Sequence, residues 1–208
     1  MRSLVEAEAA TVEIDGTTIL PPTSLEASAG QMWAVTGPNG VGKSTLLRAV
    51  GGRRPLTSGR CLLVGEEVDL RRAVHRRVLA ALVDPVPIAR DLTVREQIGI
   101  VADSWFGRSA VATGRTSRIL EELMLSGLAN RFPHQVSAGQ RQLFHLALVL
   151  VRPAEVVLLD EPERHLDDHH LDLVLRVVGE RVRAGATFLV ATHHRTVTST
   201  CDRVLRLG

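Results

Sequence analysis

The sequence predicts an α/β fold with a mostly parallel central sheet. Residues 78–83, 156–159 and 187–191 are short, continuous apolar runs, typical of strands that are covered on both faces of a parallel sheet. Helical patterns lie between these runs, as expected when helices cover such a sheet. The chain has 208 residues, of which 45% are hydrophobic, so one domain of this kind can bury a core.

The N-terminal region predicts a small antiparallel β subdomain ahead of the first buried strand. The first 30 residues alternate weakly between apolar and polar side chains and end at Gly30, as in a β hairpin. Residues 31–36 form an apolar run that suits a buried strand, and residues 44–50 continue as a helix. Gly51 is expected to end that helix.

The middle of the chain predicts an α-helical subdomain inserted between strands. The pattern turns helical at Thr93 and stays so to about residue 130, and Thr93 and Glu96 stand at capping-box spacing. We place this subdomain at about residues 85–151. The core with its β subdomain then comprises residues 1–84 and 152–208.

The last third of the chain returns to alternating helices and strands. Helices are predicted from about residue 138 to 151 and from about residue 166 to 183, on either side of the strand at 156–159. The sequence shows no internal repeat and no low-complexity linker. We therefore expect residues 1–208 to form a single domain that carries the helical insertion.

Composition narrows the classes of function. The net charge of +2 does not require a nucleic-acid partner, and the arginine-rich stretch at 71–77 is expected to be a solvated face, with contact to nucleic acid or anionic lipid as the alternative. The N-terminus carries acidic residues and no apolar run, unlike a signal peptide. Every apolar stretch is far shorter than the roughly 20 residues that span a bilayer. Cys61 and Cys201 lack metal-ligand spacing, which indicates reduced thiols in a cytosolic protein.

Lys43 is the only lysine of the chain, and it lies in a glycine-rich segment that fits the pattern G-x-x-x-x-G-K-[ST]. The predicted strand before this segment and the helix after it supply the context of a phosphate-binding loop. Such a loop points backbone N–H groups at phosphates, while its lysine reaches the β- and γ-phosphates and its first hydroxyl binds Mg²⁺. A nucleoside triphosphate and Mg²⁺ are therefore expected on Gly37, Pro38, Asn39, Gly40, Val41, Gly42, Lys43, Ser44 and Thr45. The alternative is a glycine-rich turn without a ligand.

Asp160 and Glu161 follow the predicted strand at 156–159. Ligands of open α/β sheets bind at the carboxyl ends of the strands, so these carboxylates are expected near the phosphate loop. Asp160 is placed to hold Mg²⁺, directly or through water, and Glu161 to polarise an attacking water as a general base. The alternative is a solvated acidic turn.

Two further features stand near the ends of predicted elements. Ser137 and Gln140 have capping-box spacing at the start of a helix, and His193 follows the strand at 187–191. Taken alone, the Ser137 and Gln140 pair is best explained as the cap of an ordinary helix. A single histidine such as His193 is more often structural than catalytic.

The order and spacing of these features resemble the nucleotide-binding domain of ATP-binding cassette (ABC) proteins. The likeness covers essentially the whole chain. The matching segments are residues 37–45 for Walker A, 136–140 for the LSGGQ signature, 156–162 for Walker B, 166–167 for the end of the D-loop and His193 for the switch histidine. The resemblance implies a P-loop NTPase fold and ATP as the nucleotide.

The resemblance also implies a mechanism that needs two cassettes packed head to tail. ATP on Lys43, Ser44 and Thr45 of one cassette would be closed by the signature of the other, with Ser137, Gly139 and Gln140. Glu161 would activate water, and His193 would contact the γ-phosphate. A homodimer or a paired cassette chain is therefore expected as a partner.

The sequence departs from the family pattern at several positions. Asp84 stands where the family has its Q-loop glutamine, and it remains a candidate Mg²⁺ ligand. Ile14 is the nearest candidate for the aromatic residue that stacks on adenine, so an aliphatic base contact is expected. Residues 163–165 replace the small residues of the D-loop, which places communication across a dimer in question. Residues 165–170 could also be mistaken for a metal site, but a polar helix start is expected there.

The function expected from the resemblance is the ATP-hydrolysing subunit of an ABC transporter. It would be cytoplasmic and peripheral at the inner face of the cell membrane, bound to a separate transmembrane permease subunit. Nucleic acid is not an expected partner. Two alternatives remain open: a soluble ABC ATPase that acts on nucleic acid or ribosomes, and a degenerate cassette that binds ATP as a regulatory module.

Overall fold

The computed structural model of the chain describes residues 2–208, which divide into two compact units. The first unit comprises residues 2–83, 154–161 and 180–208, and the second comprises residues 84–153 and 162–179. The boundary between the two units thus follows Val83 at one point and Glu161 at another.

The first unit contains two sheets with short helices. Its elements are β1 (Ser3–Ile14), β2 (Thr17–Ser28), β3 (Met32–Thr36), α1 (Lys43–Val50), β4 (Ser58–Leu63), β5 (Glu66–Glu67), α2 (Ala73–Val78), β6 (Leu79–Leu82), β7 (Val156–Asp160), β8 (Thr187–Ala191), α7 (Arg195–Ser199) and β9 (Arg203–Arg206). The second unit contains α3 (Val94–Phe106), α4 (Ala110–Glu122), α5 (Ala138–Leu150) and the larger part of α6 (Asp168–Arg183).

The smaller sheet is antiparallel and has the order β2-β1-β4-β5. Its hairpin turns at Asp15 and Gly16, which have φ values of 49° and 76°. Positive φ at both central residues matches the twist of the two strands, and glycine and aspartate tolerate it. The predicted antiparallel N-terminal subdomain is confirmed.

The larger sheet is parallel throughout and has the order β6-β7-β8-β3-β9. Asp160 of β7 pairs with Ala191 of β8, and Val35 of β3 pairs with the same Ala191. The carboxyl ends of these three strands therefore meet at one edge of the sheet. The mostly parallel sheet is confirmed, whereas β9 escaped the sequence analysis because its residues are largely exposed and lack an apolar run.

Helix α1 packs on the parallel sheet and supplies much of the core. Leu46 and Leu47 are fully buried, as are Val35, Leu158 and Leu189 of three strands. Each buried aliphatic side chain of this size stabilises the fold by roughly 1.5–3 kcal/mol relative to an exposed one. This packing holds the N-terminus of α1 against the carboxyl ends of β3 and β7.

The stretch at 71–77 is more than the solvated face predicted from its arginines. Ala73–Val78 forms helix α2, in which His75 is fully buried, while Arg72 stays exposed and forms an ion pair with Glu66.

Cys61 and Cys201 are both free, in agreement with the reduced thiols expected from the sequence. Burial raises the pKa of the Cys61 thiol to about 11.

The second unit is helical, as predicted for the inserted subdomain, and it also contains residues 162–179, which the sequence analysis assigned to the core. Thr93 and Glu96 form the predicted capping box at α3, with each side chain bonded to the other residue's backbone N–H. The long helical pattern is divided at Gly107, which has a φ of 65°, and Ser109 caps the start of α4. Within residues 2–208, every helix is too short or too polar to cross a membrane.

Candidate functional site

The loop between β3 and α1 requires glycine at two positions for steric reasons. Gly42 has a φ of 104°, and a Cβ atom there would lie 2.5 Å from the carbonyl oxygen of Ile19. Gly37 has a φ of 142°, and its Cβ would lie 2.4 Å from the carbonyl oxygen of Leu207. L-residues rarely adopt such φ values, and backbone atoms cannot yield as side chains do. The loop therefore keeps its shape only with glycine at these two positions.

Lys43 begins α1 and turns back over the loop. Its side chain is 7% exposed, and Nζ donates hydrogen bonds to the carbonyl oxygens of Gly37 (2.8 Å) and Pro38 (2.9 Å). The first N–H groups of any α-helix lack hydrogen-bond partners within the helix. The N-cap residue of α1 is Gly42, which has no side chain that could accept from them. The ammonium and the helix N-terminus thus place positive charge at the same loop, as an anion site requires.

Asp160 ends β7 and accepts a hydrogen bond from the Ser44 hydroxyl, which lies in the first turn of α1. Burial raises the pKa of the Asp160 carboxyl above its ordinary value, and the neighbouring Glu161 raises it further. The hydrogen bond from Ser44 and the charges of Arg48 and Lys43 oppose this rise. A carboxylate and a hydroxyl in contact are oxygen donors of the kind that Mg²⁺ prefers.

Replacing Asp160 with asparagine should stabilise the nucleotide-free chain. Because the folded state raises this pKa, the ionised carboxyl lowers the free energy of unfolding at neutral pH, whereas asparagine carries no charge and can still accept from Ser44. We expect a melting temperature a few degrees higher at pH 7.5. The difference from the wild type should shrink as the pH falls through the raised pKa and vanish below the ordinary value of about 3.9.

Asp172→Asn is the matched control, because Asp172 is exposed on α6. Melting curves of the three proteins between pH 4 and pH 8 provide the measurement. A lower melting temperature for Asp160→Asn at pH 7.5 would show that the charge of Asp160 is compensated in the nucleotide-free chain.

Glu161 and His193 lie together at the same sheet edge. The Glu161 backbone has a φ of 47°, and its N–H donates to the Ala191 carbonyl at 2.9 Å. Its carboxylate Oε1 is 3.5 Å from Nδ1 of His193, and the two side chains are 33% and 65% exposed. Asp160, Glu161 and His193 are therefore neighbours, as the topology of a parallel sheet leads one to expect.

Thr192 contributes to this edge in a way the sequence analysis missed. It is fully buried, its N–H donates to the Val35 carbonyl at 3.1 Å, and its hydroxyl accepts from the N–H of His194 at 2.9 Å. These bonds hold the turn that carries His193. The sequence signal that could have indicated Thr192 is its position between the apolar strand at 187–191 and two histidines.

The start of α5 forms a capped helix in the second unit. Ser137 Oγ accepts from the Gln140 N–H at 3.2 Å, and Gln140 Oε1 accepts from the Ser137 N–H at 3.0 Å, which is the predicted capping box. Gly139 lies so close to the chain at His165 that a Cβ would be 2.7 Å from its carbonyl oxygen. A glycine is therefore needed at this turn.

Ile14 and Asp84 remain predictions as site residues. Ile14 ends β1 at the hairpin and is 38% exposed. Asp84 follows β6 and is the first residue of the second unit. Among residues 2–208, no group of three or more His, Cys, Asp or Glu side chains could hold a metal ion. The segment 165–170 instead starts α6, where Asp167 Oδ1 accepts from the His170 N–H at 2.9 Å.

Comparisons with known proteins agree with this geometry. The family model described as ABC transporter matches residues 20–164. The energy-coupling factor transporter ATP-binding protein EcfA of Methanothermobacter thermautotrophicus is 30% identical over 183 residues, which cover 86% of this chain and 59% of that protein. The hemin import ATP-binding protein HmuV of Pseudomonas aeruginosa is 35% identical over 217 residues, covering 98% of this chain and 83% of the relative.

A solved structure shows the same fold. The ATP-binding cassette MJ0796, described as dimeric in a post-hydrolysis state bound to ADP and Pi, superposes with a TM-score of 0.88 at 22% identity, covering 98% of this chain and 94% of that one. The fold class predicted from the sequence is confirmed. The chain belongs to the ABC transporter family, as a nucleotide-binding cassette of that family.

Proposed function

We propose that this chain binds ATP with Mg²⁺ and hydrolyses it between two cassettes, and that this cycle powers transport through a separate membrane subunit. The observation that carries the proposal is the meeting of three features in the first unit. These are the buried ammonium of Lys43 on its loop, the hydrogen bond between Asp160 and Ser44, and the contact between Glu161 and His193.

The loop and α1 supply the binding of the triphosphate. Backbone N–H groups at the helix start and the Lys43 ammonium neutralise phosphate charge, and the glycines let the backbone come close. The Ser44 hydroxyl and the Asp160 carboxylate would hold Mg²⁺, and Asp84 is a further candidate ligand. When bound, Mg²⁺ supplies charge neutralisation of the β- and γ-phosphate oxygens.

Glu161 supplies the proton acceptor for hydrolysis. As a general base its carboxylate takes a proton from the water whose oxygen bonds to the γ-phosphorus. The bond between the γ-phosphorus and the oxygen that bridges it to the β-phosphate breaks, and ADP leaves. His193, whose Nδ1 is 3.5 Å from this carboxylate, orients it and would contact the γ-phosphate. Positioning and charge stabilisation account for most of such catalysis.

A second cassette is part of the proposal. The N-terminus of its α5, with Ser137, Gly139 and Gln140, would close over the ATP of the first cassette, because the first turn of a helix has N–H groups without partners in the helix that can point at an anion. The second cassette is a copy of this chain or a paired relative. The membrane partner is a transmembrane permease subunit, which would place the chain at the inner face of the cell membrane.

A regulatory cassette without hydrolysis is the second candidate. The observations that favour it are Asp84 at the position of the Q-loop glutamine and Ile14 in place of a stacking aromatic residue. Retention of Glu161 beside His193 favours the hydrolytic function. The rate of phosphate release from ATP by the purified chain separates the two.

Replacing Lys43 with alanine tests the binding of ATP. We expect ATP affinity to fall at least about 100-fold, because an ammonium that bonds phosphate in a partly buried site contributes about 3 kcal/mol or more. Isothermal titration with Mg²⁺ and ATP measures it, and Arg176→Ala on the exposed face of α6 is the control. Unchanged affinity of the Lys43 variant would refute the proposal.

Co-purification tests the membrane partner. The tagged chain, expressed in its native host and extracted from membranes with detergent, is expected to retain a polytopic membrane protein in the presence of ATP. Recovery of nucleic acid or ribosomal proteins in its place would favour a soluble ABC ATPase.

A further inference from the structure

Gln142 lies in the second turn of α5 and holds the residue that follows Glu161. Its side-chain Nε2 donates a hydrogen bond to the carbonyl oxygen of Pro162 at 3.1 Å, and the side chain is half-buried. Both residues belong to the second unit, whereas Glu161 is the last residue of a segment of the first. The boundary between the units therefore falls at the peptide bond next to this hydrogen bond.

The segment after Glu161 also meets α5 at a second point. Gly139 approaches the carbonyl of His165 so closely that a Cβ would lie 2.7 Å from that oxygen. Between the two points Glu163 is only 7% exposed, and its carbonyl accepts from the N–H of Leu166 at 3.0 Å. The first two turns of α5 thus form the surface on which residues 162–165 rest.

The backbone of this segment has an unusual conformation. Glu161 and His165 have φ values of 47° and 64°, although neither is glycine. Residues persist in this region only where surrounding contacts hold them. Proline has no N–H to donate, so the Pro162 carbonyl is the group through which a hydrogen bond can hold the residue next to Glu161.

The geometry points to Gln142 as a positioning residue for hydrolysis. By holding the Pro162 carbonyl, which lies in the peptide between Pro162 and Glu163, it limits the movement of the residue bonded to Glu161. The backbone of Glu161 is thereby held in the conformation in which its carboxylate contacts His193. The same helix starts at Ser137, which is proposed to close over ATP of the partner cassette. Gln142 therefore acts on the general base through the chain segment that directly follows it, and this role rests on the proposed function.

The test is Gln142→Met, which keeps the length of the side chain and its lack of charge but removes the donor. We expect kcat for ATP hydrolysis to fall about tenfold, with KM for ATP within about twofold, because misplacement of a catalytic group by less than 1 Å costs rate rather than binding. Gln142→Arg retains an N–H donor and should recover most of the rate. Arg141→Met, the exposed neighbour on α5, should have the kcat of the wild type.

Two further measurements separate positioning from general damage to the fold. In a Glu161→Gln background, adding Gln142→Met should leave the single-turnover rate unchanged, because a residue that acts through Glu161 has no effect without it. Amide hydrogen exchange should increase at residues 161–167 in Gln142→Met but stay unchanged in Arg141→Met, with equal melting temperatures.

The outcomes distinguish this role from the proposed function. An inactive wild-type chain, or a Glu161→Gln variant of full activity, would refute the proposed function and this role with it. An active wild type that depends on Glu161, together with full kcat or unaltered exchange in Gln142→Met, would overturn the role of Gln142 alone. Additive effects in the double variant would do the same.

Discussion

Replacement of Glu161 with glutamine is expected to slow ATP hydrolysis at least about 100-fold without weakening ATP binding. A positioned general base contributes roughly 10²–10⁴ to the rate, and glutamine keeps the shape of the side chain but cannot accept the proton of the attacking water. The carboxylate lies 3.5 Å from His193 and is one-third exposed, so a water molecule can reach it. Phosphate release over time, with titration of ATP on the same protein, measures both quantities.

The same variant should also accumulate an ATP-bound dimer. If hydrolysis separates the two cassettes, a chain that binds ATP but does not cleave it remains in the closed form. Size-exclusion chromatography with light scattering, with and without ATP, is the measurement. Glu121→Gln on the exposed face of α4 is the control and should retain wild-type turnover. Undiminished hydrolysis by the Glu161 variant would remove Glu161 from the role of the base.

Gly42→Ala is expected to weaken ATP binding and to destabilise the chain. Its φ of 104° is strained for alanine, and the added Cβ would lie 2.5 Å from the carbonyl oxygen of Ile19, which is backbone and cannot turn aside. The loop must then move, and the start of α1 moves with it. We expect affinity for ATP to fall at least about tenfold, because the donors no longer converge on the phosphates.

Gly65→Ala provides the matched control for this effect. Gly65 has a φ of 83°, and a Cβ there would meet no atom within 4 Å. Only the backbone strain is then present, which is about 1–2 kcal/mol for an L-residue in this region. Melting curves should show a loss of stability in both variants, and calorimetric titration should show lost ATP affinity only in Gly42→Ala. Equal ATP affinity of the two variants would exclude the steric argument for the loop.

The sequence by itself determined the parallel sheet, the hairpin, the starts of α3 and α5, and the phosphate loop. These features depend on local patterns: continuous apolar runs for β7 and β8, capping boxes at Thr93 and Ser137, and glycines spaced before Lys43. Each pattern lies within a short segment of the chain, so the element that it predicts can be assigned without knowing what packs against that element. The adjacency of Asp160 and His193 also followed, because parallel strands end at a common edge.

Tertiary structure alone decided which atoms meet. Strand β9 pairs beside β3 although its own residues are exposed, and only this pairing brings the Leu207 carbonyl to Gly37. The burial of His75 within an arginine-rich helix and the hydrogen bond from Gln142 to Pro162 have no local sequence signal. The residues that they contact lie on other helices, strands or loops. Sequence patterns specify each element's faces and ends, whereas close packing between elements determines which groups come within hydrogen-bonding distance.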